Sequence, residues 1–213
     1  MSSRAGGGAS PRARDPLRRT LDADAVATTA FELFSRQGYD ATSLDQVASA
    51  LGVSKAAIYY HHAGKEAILR HGLDAAMGAL ESMLQEGVFQ SPVTPPLERF
   101  AYLVRRGCQI GLDHKATVQV LLRLKGNSEL ERSLLERRRA FDAAAAAILK
   151  QAVTRGDLLA GSNPMVLASL SIGVINTLVE WYRPDRAIPT GELVEVVVRF
   201  VMNGLPRTGA EPI

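Results

Sequence analysis

Apolar residues recur at helical spacing along almost the whole chain, and no stretch makes a credible strand. From about Asp22 to Gln37, Ala23, Val26, Ala27, Ala30, Leu33 and Phe34 form one buried stripe, which Gly38 closes. Leu44, Val47, Ala48 and Leu51 then repeat at i, i+3, i+4 and i+7. Ser43 precedes them with Gln46 three residues on, the arrangement of a capping box. Gly52 ends this helix where a left-handed residue is needed. Val53 plugs the corner, and Ser54 caps a second short helix, KAAIYYHH, whose Ala57 and Ile58 pack inward.

A longer helix starts near Gly64 and runs to about Glu86, with Ile68, Leu69, Leu73, Ala76, Leu80 and Leu84 as its apolar positions. The breakers Ser91 to Pro96 follow. Segments near 97–113, 115–124 and 128–156 are amphipathic, and Gly156-Asp157 ends the longest. Asn163-Pro164 starts a helix that is apolar nearly all round, MVLASLSIGVINTLVEWY. Pro184 and Pro189 break the chain again. The last helix, near 191–203, carries Leu193, Val196, Val197, Phe200 and Val201, and Gly204 ends it. Val196–Val198 has strand propensity, but the helical spacing decides for helix. The expectation is an all-α chain of about nine helices. Residues 1–20 form a disordered basic tail, 21–66 a three-helix helix-turn-helix domain, and 67–207 a larger helical domain.

Two short helices around a tight glycine turn form a DNA-reading unit whose second helix enters the major groove. Ser54, Lys55, Ala56 and Tyr60 can face that groove, and Lys55 can reach guanine O6/N7 or a phosphate. Thr42 and Ser43, at a helix N-terminus, suit phosphate through hydroxyl and backbone N–H groups. Ser43 and Ser54 also serve as plain caps, and the two roles are compatible. His61 is a candidate contact to backbone or base. Adjacent His61 and His62 point in different directions, so they make a poor metal pair, and no metal is expected. His62 reads as a structural replacement for an apolar residue.

The segment 22–70 resembles the TetR family of bacterial transcriptional repressors. The residues that carry the resemblance are Phe31, Phe34, Gly38, Tyr39, Thr42, Val47, Ala48, Gly52, Val53, Ser54, Ile58, Tyr59, Tyr60, His61, Lys65 and Glu66. His62 departs from the apolar residue often found there. The resemblance implies that Tyr59 and Lys65 bind phosphate. It also implies that the remaining helices form an effector pocket and a dimer surface, so that two helix-turn-helix units meet a palindromic double-stranded operator.

Composition narrows the setting. The chain has 213 residues, 46% of them hydrophobic, enough for a sizeable core. A single cysteine, Cys108, excludes an intrachain disulfide and points to a reducing compartment. The Gly-, Ser- and Arg-rich start lacks the apolar run of a signal peptide, and no uninterrupted apolar stretch reaches spanning length. A cytoplasmic protein without a membrane partner is expected. The net charge of +3 is carried by the first 20 residues, where Arg4, Arg12, Arg14, Arg18 and Arg19 oppose Asp15 alone. That tail is either an arm attracted to DNA phosphate or a solvated leader.

The apolar helices 164–182 and 191–203 are the expected dimer seam. Leu170, Val174, Leu178 and Trp181 lie on one stripe of the first, and Val197 and Val201 join from the second. Burial within one subunit competes for part of that stripe. Effector candidates are the polar Gln109, Arg123, Asn176 and Trp181, with Tyr102, Cys108, Met165 and Ile172 as wall; each also has an ordinary core or surface reading. The run Trp181-Tyr182-Arg183-Pro184 resembles the C-terminal end of family members that regulate fatty-acid, aromatic-acid and steroid catabolism, some of which respond to acyl-CoA. That resemblance implies an acyl- or aryl-CoA effector, with Arg105, Arg106, Arg123 and Arg137 to Arg139 as cations for its phosphates. No catalytic motif occurs, Asp22 and Asp24 suit a helix first turn, and neither an enzyme nor a cofactor is expected. The competing class is a ligand-independent architectural DNA protein, against which the near-neutral body argues.

Overall fold

The computed structural model describes residues 21–183 and 188–209, and within them every named element is a helix. The tail 1–20 and Pro184 lie outside the described residues. Side-chain caps fix the starts of the first three helices. The Asp22 carboxylate accepts from the Ala25 amide to begin α1, Ala23–Gln37. Ser43 and Gln46 form both bonds of a capping box at α2, Leu44–Leu51, which ends on Gly52 at φ 67°. Ser54 caps α3, Lys55–His61. The chain continues as α4 (Lys65–Met83), α5 (Gly87–Gln90), α6 (Pro96–Asp113), α7 (Lys115–Arg123), α8 (Glu129–Arg155), α9 (Pro164–Trp181) and α10 (Thr190–Asn203). The described residues thus hold one helix beyond the expected nine. The addition is α5, whose four residues are too few to show a period.

Two cores meet along α4. The first packs α1, α2 and α3 through Val26, Phe31, Phe34, Val47 and Ile58 onto Ile68, Leu69 and Leu73 of α4. Phe34 stands edge-to-face between Phe31 and Tyr39, at 5.5 and 5.1 Å between ring centroids. Gly72 lets α1 approach α4 closely: a Cβ there would lie 2.2 Å from the Phe31 ring. His62, expected as an apolar replacement, is buried, and its Nε2 lies 2.9 Å from the Ala23 carbonyl oxygen. The same core extends into Val120 and Leu121 of α7 and Leu130 and Leu134 of α8. The helix-turn-helix is therefore bolted to the body rather than hung from it. The second core joins α6, α8, α9 and α10 around Phe100, Leu103, Leu149, Leu178 and Val194.

Two polar locks hold this frame. Arg137 of α8 donates to both Glu81 oxygens, at 2.7 and 2.9 Å, and to Asp74 at 2.5 Å, so α8 and α4 cannot slide freely. This guanidinium holds the Glu81 carboxyl below its ordinary range, chiefly through the hydrogen bond. Buried Glu131 accepts three backbone N–H groups, from Lys125, Gly126 and Asn127, and so shapes the α7–α8 turn. By length and composition α9 is apolar enough to cross a membrane. Here its inner face packs in the second core.

Candidate DNA-binding face and effector cavity

The outward face of α3 is built from small and polar groups on a capped, rigid base. Tyr60 is 86% exposed and stands free of the subunit, and Tyr59, at 49%, leaves about half of its surface to solvent. Ser54, Lys55 and Ala56 are exposed at the start of the helix. His61 is half-buried, with its ring edge-on to Tyr60 at 5.1 Å. Lys55 Nζ lies 2.9 Å from Asp45 Oδ2 of α2, and that hydrogen bond raises the lysine pKa. Both groups face solvent, so the pair can be exchanged for a phosphate or a base edge. Ser43 remains exposed while capping α2.

Two other predicted DNA contacts sit differently. Thr42 is only 2% exposed; its hydroxyl donates to the Gly38 carbonyl at 2.7 Å and accepts from Gln37. Lys65 donates to the Tyr39, Asp40 and Thr42 carbonyls at 2.8, 3.3 and 3.0 Å, with its ammonium 4.4 Å from the Tyr39 ring centroid. An ammonium has three donors, and all three are engaged here. Lys65 thereby clamps the α1–α2 turn, including the Thr42 carbonyl, to α4.

Elsewhere, α9 and α10 expose apolar side chains. Leu170 is 65% exposed, Trp181 56%, Phe200 67%, Val166 51% and Val196 43%. Leu178 and Val197 are buried in the subunit's own core, whereas Val201, though mostly buried, lines a surface groove with Leu170, Val174 and Phe200. The reason is helical phase. Each i+4 step rotates the side chain by about 40°, so the series Leu170, Val174, Leu178 turns from solvent into the core, while Trp181 returns to the Leu170 side. On α10 the outward pair is Val196 and Phe200.

Inside the body, a cavity of about 60 Å³ lies between α4, α6, α7, α8 and α9. Ile172 and Asn176, both predicted effector contacts, line it, with Met77, Leu80, Phe141 and Ile175 among the apolar wall. The other candidates are elsewhere. Cys108 is fully buried in the second core, where burial pushes its thiol up to about 12. Tyr102 donates to Glu86, and Gln109 accepts from Arg106 at 2.9 Å. Arg123 donates to the Ser35 carbonyl and stands 3.5 Å from Glu180. Met165 and Trp181 are exposed. Asp142, not singled out in the sequence, lines the cavity, and so do Gly107 and Gly111 of α6.

Comparison with known proteins places this architecture. Residues 27–71 match the family model described as bacterial regulatory proteins, tetR family, and residues 93–205 match a tetracyclin repressor-like C-terminal domain. A TetR-family regulator from Streptomyces coelicolor shares 38% identity with a TM-score of 0.76, over 85% of this chain and 91% of that one. The chain belongs to the TetR family of bacterial regulatory proteins. It is also similar to the biofilm operon negative transcriptional regulator IcaR of Staphylococcus epidermidis, at 39% identity over 51 residues. That match spans 24% of this chain and 28% of IcaR. The structure of AibR in complex with isovaleryl coenzyme A and operator DNA shares the fold, at 22% identity and a TM-score of 0.69 over 87% of this chain and 99% of that one.

Proposed function

We propose that the chain is a cytoplasmic homodimeric repressor that grips a palindromic operator in double-stranded DNA through α3 and is released by a small-molecule effector. The observation that carries this reading is the outward face of α3. Its Lys55, Ala56, Tyr59 and Tyr60 are exposed on a helix whose buried side, Ile58, is locked into the first core. Two such faces need a dimer, and the apolar surface of α9 and α10 is the surface that a second copy would cover. Coupling to an effector rests on α4. This helix lines the cavity with Met77 and Leu80, and it also carries the residues on which α1 and α3 pack. A ligand that favours a shifted α4 binds the DNA-incompetent arrangement more tightly and so releases the operator. The cavity favours this reading over a ligand-independent architectural protein.

The thioester reading draws support from the isovaleryl coenzyme A bound to AibR. Against it, four of its six candidate cations are engaged: Arg105 with Glu195, Arg106 with Glu86, Arg123 with Glu180, and Arg137 with Glu81 and Asp74. Of the remaining two, Arg138 and Arg139, only Arg138 lines the cavity. The effector proposed here is therefore a small molecule without a CoA handle.

In vitro selection from random duplexes tests the DNA half of the proposal. The full chain should enrich a two-fold symmetric sequence. An unenriched or asymmetric pool overturns the reading.

A further inference from the structure

We propose that the cavity takes a compact, mainly apolar molecule bearing one hydrogen-bond-donating head, an amine or a hydroxyl, which Asp142 of α8 receives. This rests on the effector reading above and narrows it to a ligand class. The volume of about 60 Å³ is room for about four to six waters, which suits a small ligand and not the nucleotide part of a thioester. The wall is almost entirely hydrocarbon, from residues such as Ile110, Val118, Leu121, Phe141 and Ile175. Three lining side chains are polar or charged: Arg138, Asp142 and Asn176.

Asp142 sets the polarity of the site. Its Oδ1 is sealed from solvent and has no hydrogen-bond partner in the protein. Among the described residues the one other side-chain atom in that condition is Arg99 Nε, away from the cavity. A buried acceptor without a donor is costly, and native interiors rarely leave one. Burial pushes the Asp142 carboxyl up, and Arg138, one turn earlier on α8, opposes that shift. Arg138 is half-buried, as Asp142 is, but none of its nitrogens is both sealed from solvent and without a partner. The group that still needs a partner is thus an acceptor, and it calls for a donor. Water and a ligand head are both donors. The hydrocarbon wall selects the donor that brings apolar atoms with it. A carboxylate ligand would meet the Asp142 oxygen with like charge.

The test uses full-length protein and five probes: cyclopentylamine, cyclopentanol, methylcyclopentane, cyclopentanecarboxylate and isovaleryl-CoA. Calorimetry should show the amine and the alcohol binding about 10- to 100-fold tighter than the hydrocarbon. The order of those two separates a cationic head from a neutral one. Asp142→Leu should erase the donor advantage and tighten the hydrocarbon. The proposal is overturned if neither donor binds, if the carboxylate or the thioester binds more tightly than both, or if Asp142→Leu keeps the preference. The wild-type series decides even if that variant does not fold. Operator selection is scored on ligand-free protein, so failure here leaves the DNA reading standing.

Discussion

The outward faces of α3 and α9 are both exposed, and they are exposed in opposite ways. On α3 the surface is a lysine, an alanine and two tyrosines on a seven-residue helix with a side-chain cap. On α9 it is Val166, Leu170 and Trp181 on an eighteen-residue helix whose other side is core. A polar, hydroxyl-rich face suits a wet, charged partner such as DNA. An apolar face of this size suits a dry partner such as a second copy of the same chain. Exposure alone separates neither. The chemistry of the exposed atoms and the rigidity beneath them do.

The largest contrast comes from placing one charge on the core side of α9 and another on the outward side of α10. Leu178→Arg buries an unpaired guanidinium at a residue only 1% exposed and should cost about 3–5 kcal/mol, enough to unfold much of the protein by circular dichroism. Phe200→Arg, at a residue 67% exposed, should leave the melting curve of the subunit intact while splitting the dimer. Operator affinity should then fall by about 10²- to 10⁴-fold, because the second reading helix no longer binds in the same molecule. Equal melting behaviour of the two variants would contradict the assigned faces.

A smaller effect separates two lysines that look alike in sequence. Lys55→Ala should weaken the selected operator and lower the salt slope by about one log–log unit, as loss of one phosphate contact does. Tyr59→Phe should weaken binding in the same assay. Lys65→Met should leave that slope unchanged and instead lower the melting temperature, because three backbone carbonyls lose their donor. A reduced slope for Lys65→Met with an unchanged melt would reverse their roles.

Local chemistry made the helix-turn-helix readable. Ser43, Gln46, Gly52 and Ser54 act on neighbours three or four residues away, so their spacing declares their bonds. His62 was legible for a related reason, since a polar ring at a core position must replace something apolar. The clamps were not legible, because the partners of Thr42 and Lys65 are backbone carbonyls brought near by the fold. The facing of α9 was legible only in part, for another reason. A helix apolar nearly all round gives no phase, so an i+4 series looks like one stripe although it crosses from solvent to core. The cavity left one usable signal: Asp142, a lone carboxylate beside Phe141 at the head of an alanine run, where a solvated face would carry more charge.

Light scattering of the purified full chain at micromolar concentration is the decisive measurement, since recognition of a two-fold operator requires two α3 helices in one particle. The wild type should show twice the mass of the chain, and Phe200→Arg a single-chain mass. A folded wild-type monomer at that concentration would contradict the dimer reading.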